Sequence, residues 1–246
     1  MERNDMVQTV LNLVLLGVVI ICAWSGYKKG IIMGVGGLLA IIIAVYGANL
    51  LANTFSHDII PVLRPFANGF MESRISAEDG VMERMDWDDT SYALHDLLAM
   101  YPERQEEFCR ECYLTLGIDE SAAATMAGRA MDHANLSGDA VLDSVVQILC
   151  ETVSYVGCFI LAFLLLIILL TVIGNLPNLS FKIPHMDIVN DIFGTLIGIA
   201  TGLAFSMLIV WALRFAGILI GSDTLADGWL TGRLLEHNLL PAYLGL

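Results

Sequence analysis

Two long apolar runs open the chain, Val7 to Trp24 and Ile31 to Asn53, and neither contains a charged residue. Each approaches the ~20 residues that carry an α-helix across about 30 Å of hydrocarbon at ~1.5 Å per residue. A helix buried in a soluble core keeps a polar stripe, whereas these runs are apolar almost all round, as a lipid-facing helix is. The pattern predicts a transmembrane hairpin with Ser25-Gly26-Tyr27-Lys28-Lys29-Gly30 as its turn. Two more apolar runs follow late in the chain, about Thr152 to Ile173 and Ile192 to Ile220, separated by a loop with Pro177, Lys182 and Pro184.

Between the two pairs the periodicity changes. Residues 56–144 read as several short helices, and no alternating strand pattern of useful length occurs. Pro61 and Pro65 are expected to break the first stretch after the membrane. Thr90 or Ser91 would start a helix through Leu94, Leu97 and Leu98. Pro102 suits the first position of the next helix, with Glu103 and Glu106 near its positive end and Gly117 after it. Asp119 would cap a helix through Met126 and Met131, and Ser137 would cap a last one feeding the third span.

The fold class predicted is therefore all-α: a polytopic membrane protein with four transmembrane helices and a helical, acidic extramembrane insert between helices 2 and 3. Its parts are a hairpin over 1–55, the insert over 56–144, spans 3 and 4 over 145–221, and a tail over 222–246. Leu225, Trp229, Leu234, Leu235, Leu239 and Leu240 would give the tail an apolar face to lay on the membrane or on the insert.

Small residues recur on two spans. Gly34 and Gly37 lie on the second. Gly194, Gly198, Gly202 and Ser206 form a ladder at four-residue spacing on the fourth, which lets a neighbouring helix approach closely. The partner expected is a helix of the same chain, with a second copy as the alternative. Arg214, near the end of that span, reads as a snorkelling anchor or as a charge paired with Glu151.

Charge sharpens this picture. The chain is 57% hydrophobic with a formal charge of −14. The insert carries eighteen acids against six arginines, so most of that charge lies there. An acidic chain lacks the basic face that nucleic acid requires. Lys28, Lys29 and Lys182 are the only lysines, and all fall in the two short loops. Positive residues in short loops set orientation, so these loops are expected in the cytoplasm, with the insert and both termini outside. The first residues lack a positive start and no A-x-A-like site follows, so the first span is expected to be retained.

Candidate chemistry is sparse. Cys109-Arg110-Glu111-Cys112 places two sulfurs on one helical face, which suits a short disulfide, packing thiols, a redox pair or, with further ligands such as His95 and His133, a metal. Nearby Glu106, Glu107 and Glu111 would raise the thiol pKa. Asp86-Trp87-Asp88-Asp89 offers oxygens but lacks the spacing of a calcium loop. No phosphate loop, nucleophile elbow or zinc-protease motif is present. The sequence thus assigns no catalytic residue, metal ligand or cofactor.

The turn Gly26-Tyr27-Lys28-Lys29-Gly30 and the segment Asn190-Asp191-Ile192-Phe193-Gly194-Thr195-Leu196-Ile197-Gly198 resemble the CvpA family of bacterial inner-membrane proteins associated with colicin V production. The family has a G-Y-[RK]-[RK]-G turn between two apolar helices, and a fourth span opening with a polar residue and spaced glycines. Met33-Gly34 and Ala200-Thr201-Gly202 stand where the family often has charged residues, and the insert is longer than in the family. The resemblance implies a bacterial inner-membrane location and a non-enzymatic role in toxin production or export and in envelope function. A scaffold or accessory factor with membrane or envelope protein partners is the expectation, with a homo-oligomer as a further option. The alternatives are a channel or transporter component, for which Asn12, Thr171 and Thr201 are the polar candidates, and a thiol oxidoreductase using Cys109 and Cys112.

Overall fold

The computed structural model describes residues 2–77, 80–87, 92–175, 187–215 and 228–236, and among them every regular element is helical. The expectations at Thr90, Ser91, Lys182, Leu225, Leu239 and Leu240 lie outside the described residues. The helices are α1 (Glu2–Ile75), α2 (Val81–Arg84), α3 (Leu94–Met100), α4 (Gln105–Thr115), α5 (Glu120–Ser137), α6 (Val141–Asn175), α7 (Asp187–Leu213) and α8 (Thr231–Glu236). A 3-10 turn, Pro102–Arg104, leads into α4.

Three of these helices, α1, α6 and α7, are long and apolar enough to cross a membrane. At most 33% of the apolar window of each is buried within the protein. Side chains such as Ile21, Leu165 and Ile188 stay largely exposed, as they do where hydrocarbon is the solvent. This is the surface of a membrane-embedded, multi-pass protein.

α1 is interrupted once. Gly30 has φ 73° and ψ −175°, a region open essentially to glycine alone. The expected six-residue turn is thus shorter than its sequence suggests. Tyr27, Lys28 and Lys29 remain helical, and the reversal is confined to Gly30. Contacts on either side show the chain doubling back. Gly26 packs on Gly194 and Gly198, Gly30 on Asn190, and Gly34 then faces Ile197.

The prolines at 61 and 65 do not break α1, contrary to the expectation from sequence. Each removes one backbone donor, freeing the carbonyl four residues earlier. Both prolines are exposed and four apart, so they share one outer face of the helix. The break after α5 also falls later than expected. α5 runs through Ser137, and Gly138 ends it with φ 73°. α6 then continues for 35 residues without interruption.

Contacts divide the chain into two compact units. The first comprises Met1–Thr54, Gly157–Ala212 and Thr224–Leu244, and the second Phe55–Val156, Leu213–Asp223 and Gly245–Leu246. In the first unit α1, α6 and α7 pack through Gly47 against Leu166, through Phe159 edge-on to Trp211 at 5.0 Å, and through Phe163 edge-on to Phe205 at 6.0 Å. α8 joins this unit, with Leu234 buried beside Leu15 and Val210. Among the described tail residues, Leu234 and Leu235 thus pack with Leu15 of α1 and Val210 of α7. The second unit has a core of its own, built from Met71, Val81, Trp87, Phe108, Tyr113, Met126, Val145 and their neighbours.

Candidate functional site

The ladder of small residues on α7 finds its partner inside the chain. A Cβ at Gly194 would lie 2.9 Å from Gly30 Cα, one at Gly198 2.9 Å from Ala23 Cα, and one at Gly202 2.7 Å from Val19 Cα. None of these positions admits a side chain without moving backbone. Ser206, the next rung, is fully buried. Gly34 meets only the side chain of Ile197, at 3.2 Å, and Gly37 meets nothing within 4 Å. The close approach is thus carried by Gly26, Gly30, Gly194, Gly198 and Gly202, and Gly37 is not part of it. Gly26 and Gly30 read as turn residues in the sequence; their spacing to Val19 and Ala23 was the signal that they also form a packing strip.

One polar residue anchors this junction. Asn190, 6% exposed, accepts a hydrogen bond through Oδ1 from the Ile31 N–H at 3.0 Å. Ile31 opens the helix that follows the Gly30 break, where backbone donors have no partner within their own helix. Asn190 supplies one from α7. The two segments Gly26–Gly30 and Asn190–Gly198 therefore interlock.

Beside the junction lies a cleft of about 190 Å³, lined among others by Cys22, Ser25, Lys29, Gly37, Thr171 and Thr201. Lys29 gives it one positive charge, and its lining holds no carboxylate among the described residues. Thr171 donates to the Ile167 carbonyl at 2.6 Å and Thr201 to the Ile197 carbonyl at 2.8 Å. Both hydroxyl protons are thereby spent on their own helices. Asn12, the third polar candidate, accepts the Leu230 and Thr231 N–H groups at 3.2 Å each and so caps α8. Of the lysines expected to set orientation, Lys28 and Lys29 are exposed, and the Lys28 ammonium lies 5.2 Å from the centre of the Trp24 ring.

In the second unit Cys109 and Cys112 are free thiols, both fully buried on the inner face of α4. Cys109 Sγ lies 3.9 Å from Met131 Sδ. Burial, aided by Glu106, pushes the Cys109 thiol up to about 12, and burial puts Cys112 well above the ordinary value. A thiolate nucleophile needs the opposite environment. Among the described residues no group of three His, Cys, Asp or Glu side chains could hold a metal ion. At the acidic run, Asp86 takes a left-handed φ of 58°, and Trp87 turns inward to stack with Tyr101 and Phe108.

The most buried ion pair among the described residues was not legible from spacing. Arg214 neither snorkels nor pairs with Glu151. Its Nε and Nη2 donate to Asp119 Oδ2 at 3.2 and 3.1 Å, and Nη2 also reaches Ser121 Oγ. Asp119 returns a backbone bond to the Arg214 carbonyl at 3.1 Å. The same carboxylate caps α5 by accepting the Ser121 and Ala122 N–H groups. Arg214 and Asp119 are 95 residues apart, which no local pattern encodes. Glu151 is held instead by Arg129 at 3.4 Å and Gln147 at 2.9 Å.

Compared with protein-family models, curated proteins and solved structures, the chain matches none.

Proposed function

We propose that this chain is a non-enzymatic membrane protein with four crossings, CvpA-like, serving as a scaffold or accessory factor in toxin production or export and in envelope function. The observation that carries this reading is the interlock of Gly26–Gly30 with Asn190–Gly198. The glycines and Asn190 among the residues on which the resemblance rests are engaged in holding helices together. The reversal at Gly30 supports counting α1 as two crossings, which with α6 and α7 makes four. In this reading the lysine-bearing loops face the cytoplasm of a bacterial cell and the acidic insert faces outwards.

The reading is tested in a bacterial host that makes a colicin V-type toxin and lacks its own copy of the gene. The intact chain is expected to restore toxin production. Gly198→Leu, placed against Ala23 Cα, is expected to fail, and Cys109→Ala with Cys112→Ala to succeed. Loss of function in the double cysteine variant would turn the reading towards redox chemistry. No restoration by the intact chain would remove the link to toxin production. Orientation is read separately from Leu136→Cys, a position 89% exposed on α5. It should react with a membrane-impermeant maleimide in intact cells, and reaction only after lysis would reverse the topology.

The cleft beside Lys29 favours a second reading, a channel or transporter component. Ion or solute flux in liposomes carrying the purified protein, abolished by Lys29→Gln, would establish it over the first.

A further inference from the structure

The second unit contains a cavity of about 420 Å³, within the ~300–1,000 Å³ range of small-molecule sites. Its walls are apolar. Leu63, Phe66, Ala67 and Phe70 line one side at helical spacing, Leu116 and Ile118 come from the α4–α5 connection, and Leu149 and Phe215 are among the rest. Among the described residues, the Cys150 thiol is the only lining side chain with a polar atom.

Arg64 follows Leu63 and is exposed. Leu63 and Ala67, one and three residues away on the same helix, line the wall, so Arg64 flanks the cavity. Arg84, Arg104, Arg110 and Arg129 each pair with a glutamate, and Arg214 with Asp119. Arg64 makes no ion pair among the described residues, although its segment holds eighteen acids. A cation with no ion pair among the described residues, beside an apolar cavity, complements a molecule with a hydrocarbon chain and an anionic head.

The chain around the cavity adjoins the apolar spans. Leu63 follows Asn53 by ten helical residues, about 15 Å. Val153, also in the wall, belongs to the apolar run of α6, and Phe215 lies two residues past the end of α7. We infer that this cavity takes an acyl chain of an anionic membrane phospholipid, with Arg64 at its headgroup. Moving a chain from bilayer hydrocarbon into an apolar cavity exchanges one apolar environment for another, so the headgroup decides occupancy. One arginine near an anionic headgroup supports about a five-fold preference over a zwitterionic one.

The test uses the full chain in nanodiscs containing phosphatidylglycerol or phosphatidylcholine with a photoreactive group at the end of one acyl chain. Peptide mapping by mass spectrometry reads the cross-links. Links from phosphatidylglycerol at Leu116–Ile118 are expected, since this stretch belongs to no apolar span. Ala67→Trp, which fills the cavity, should reduce them at least ten-fold and leave links along the spans unchanged. Arg64→Gln, at an exposed position, should preserve the links but erase the headgroup preference. Cross-links confined to the spans would overturn the inference, as would occupation of the cavity by a segment of this chain. Equal labelling by both lipids in the unaltered protein would overturn the anionic assignment.

Discussion

At the scale of single residues, two glycines seven positions apart make a controlled comparison. Gly30 combines a glycine-only conformation with a contact, since a Cβ there would meet Asn190 Cγ at 2.8 Å. Gly37 is helical and faces open space. Gly30→Ala should therefore lose about 2–4 kcal/mol, combining backbone strain with displacement of Asn190. Gly37→Ala should be neutral or gain up to ~1 kcal/mol from helix propensity. Unfolding of the two variants in mixed micelles measures the difference, and equal losses would mean that Gly30 is not the pivot. The buried thiols allow a second prediction, in pH. Folded Cys109 keeps its proton to about pH 12, whereas in an unfolded chain it is lost near the ordinary value of 9.0. Below pH 9 both states are protonated and nothing changes. Above it only the unfolded state ionises, so stability falls with rising pH by about 1.4 kcal/mol per pH unit for each thiol. Urea midpoints at pH 7, 9 and 10.5 should show the decline, and Cys109→Ala with Cys112→Ala should flatten it.

At the scale of elements, the ion pair of Arg214 with Asp119 joins the residue after α7 to the cap of α5. Removing one partner leaves a buried charge, so Arg214→Met should cost about 3–5 kcal/mol. Replacing both, as Arg214→Met with Asp119→Leu, should recover most of this loss, because apolar replacements of a buried pair are often neutral. The recovery will stop about 1 kcal/mol short, since Asp119 also caps α5. A double-mutant cycle on urea unfolding measures the coupling, and additive losses would show that the pair contributes nothing. Much at this scale was legible in the sequence. The apolar runs at Val7–Trp24, Ile31–Asn53 and Thr152–Ile173 report on their surroundings through composition, and the caps at Asp119 and Gly117 are local. The continuity of α1 through Pro61 and Pro65 was not legible. A proline removes a donor wherever it stands, but whether the helix survives depends on which face it occupies. Arg214 was equally opaque, because its partner is set by how distant segments pack and not by any spacing along the chain. The glycine ladder announced close packing, while the choice of α1 as its partner emerged only from the fold.

At the scale of the whole molecule, the two compact units differ in kind. The first presents apolar helices of a length to cross a membrane, and the second buries a hydrophobic core of its own within an acid-rich segment. Urea weakens the burial of apolar groups from water and has little purchase on helices whose surroundings are already apolar. Unfolding of the full chain in micelles should then depart from a single transition, as multi-domain chains commonly do. Trp87 is the one tryptophan of the second unit and is buried against Tyr101 and Phe108, with the Arg104 guanidinium 4.9 Å from its ring centre. The first transition should carry its fluorescence change, and Trp87→Phe should erase that signal while circular dichroism still records the step. Substitutions then sort by unit. Arg214→Met should move the first transition alone, and Gly30→Ala the second alone. A single transition displaced by both variants would mean that the chain folds as one cooperative body, and the separate roles assigned to the glycine junction and the acidic insert would have to be merged.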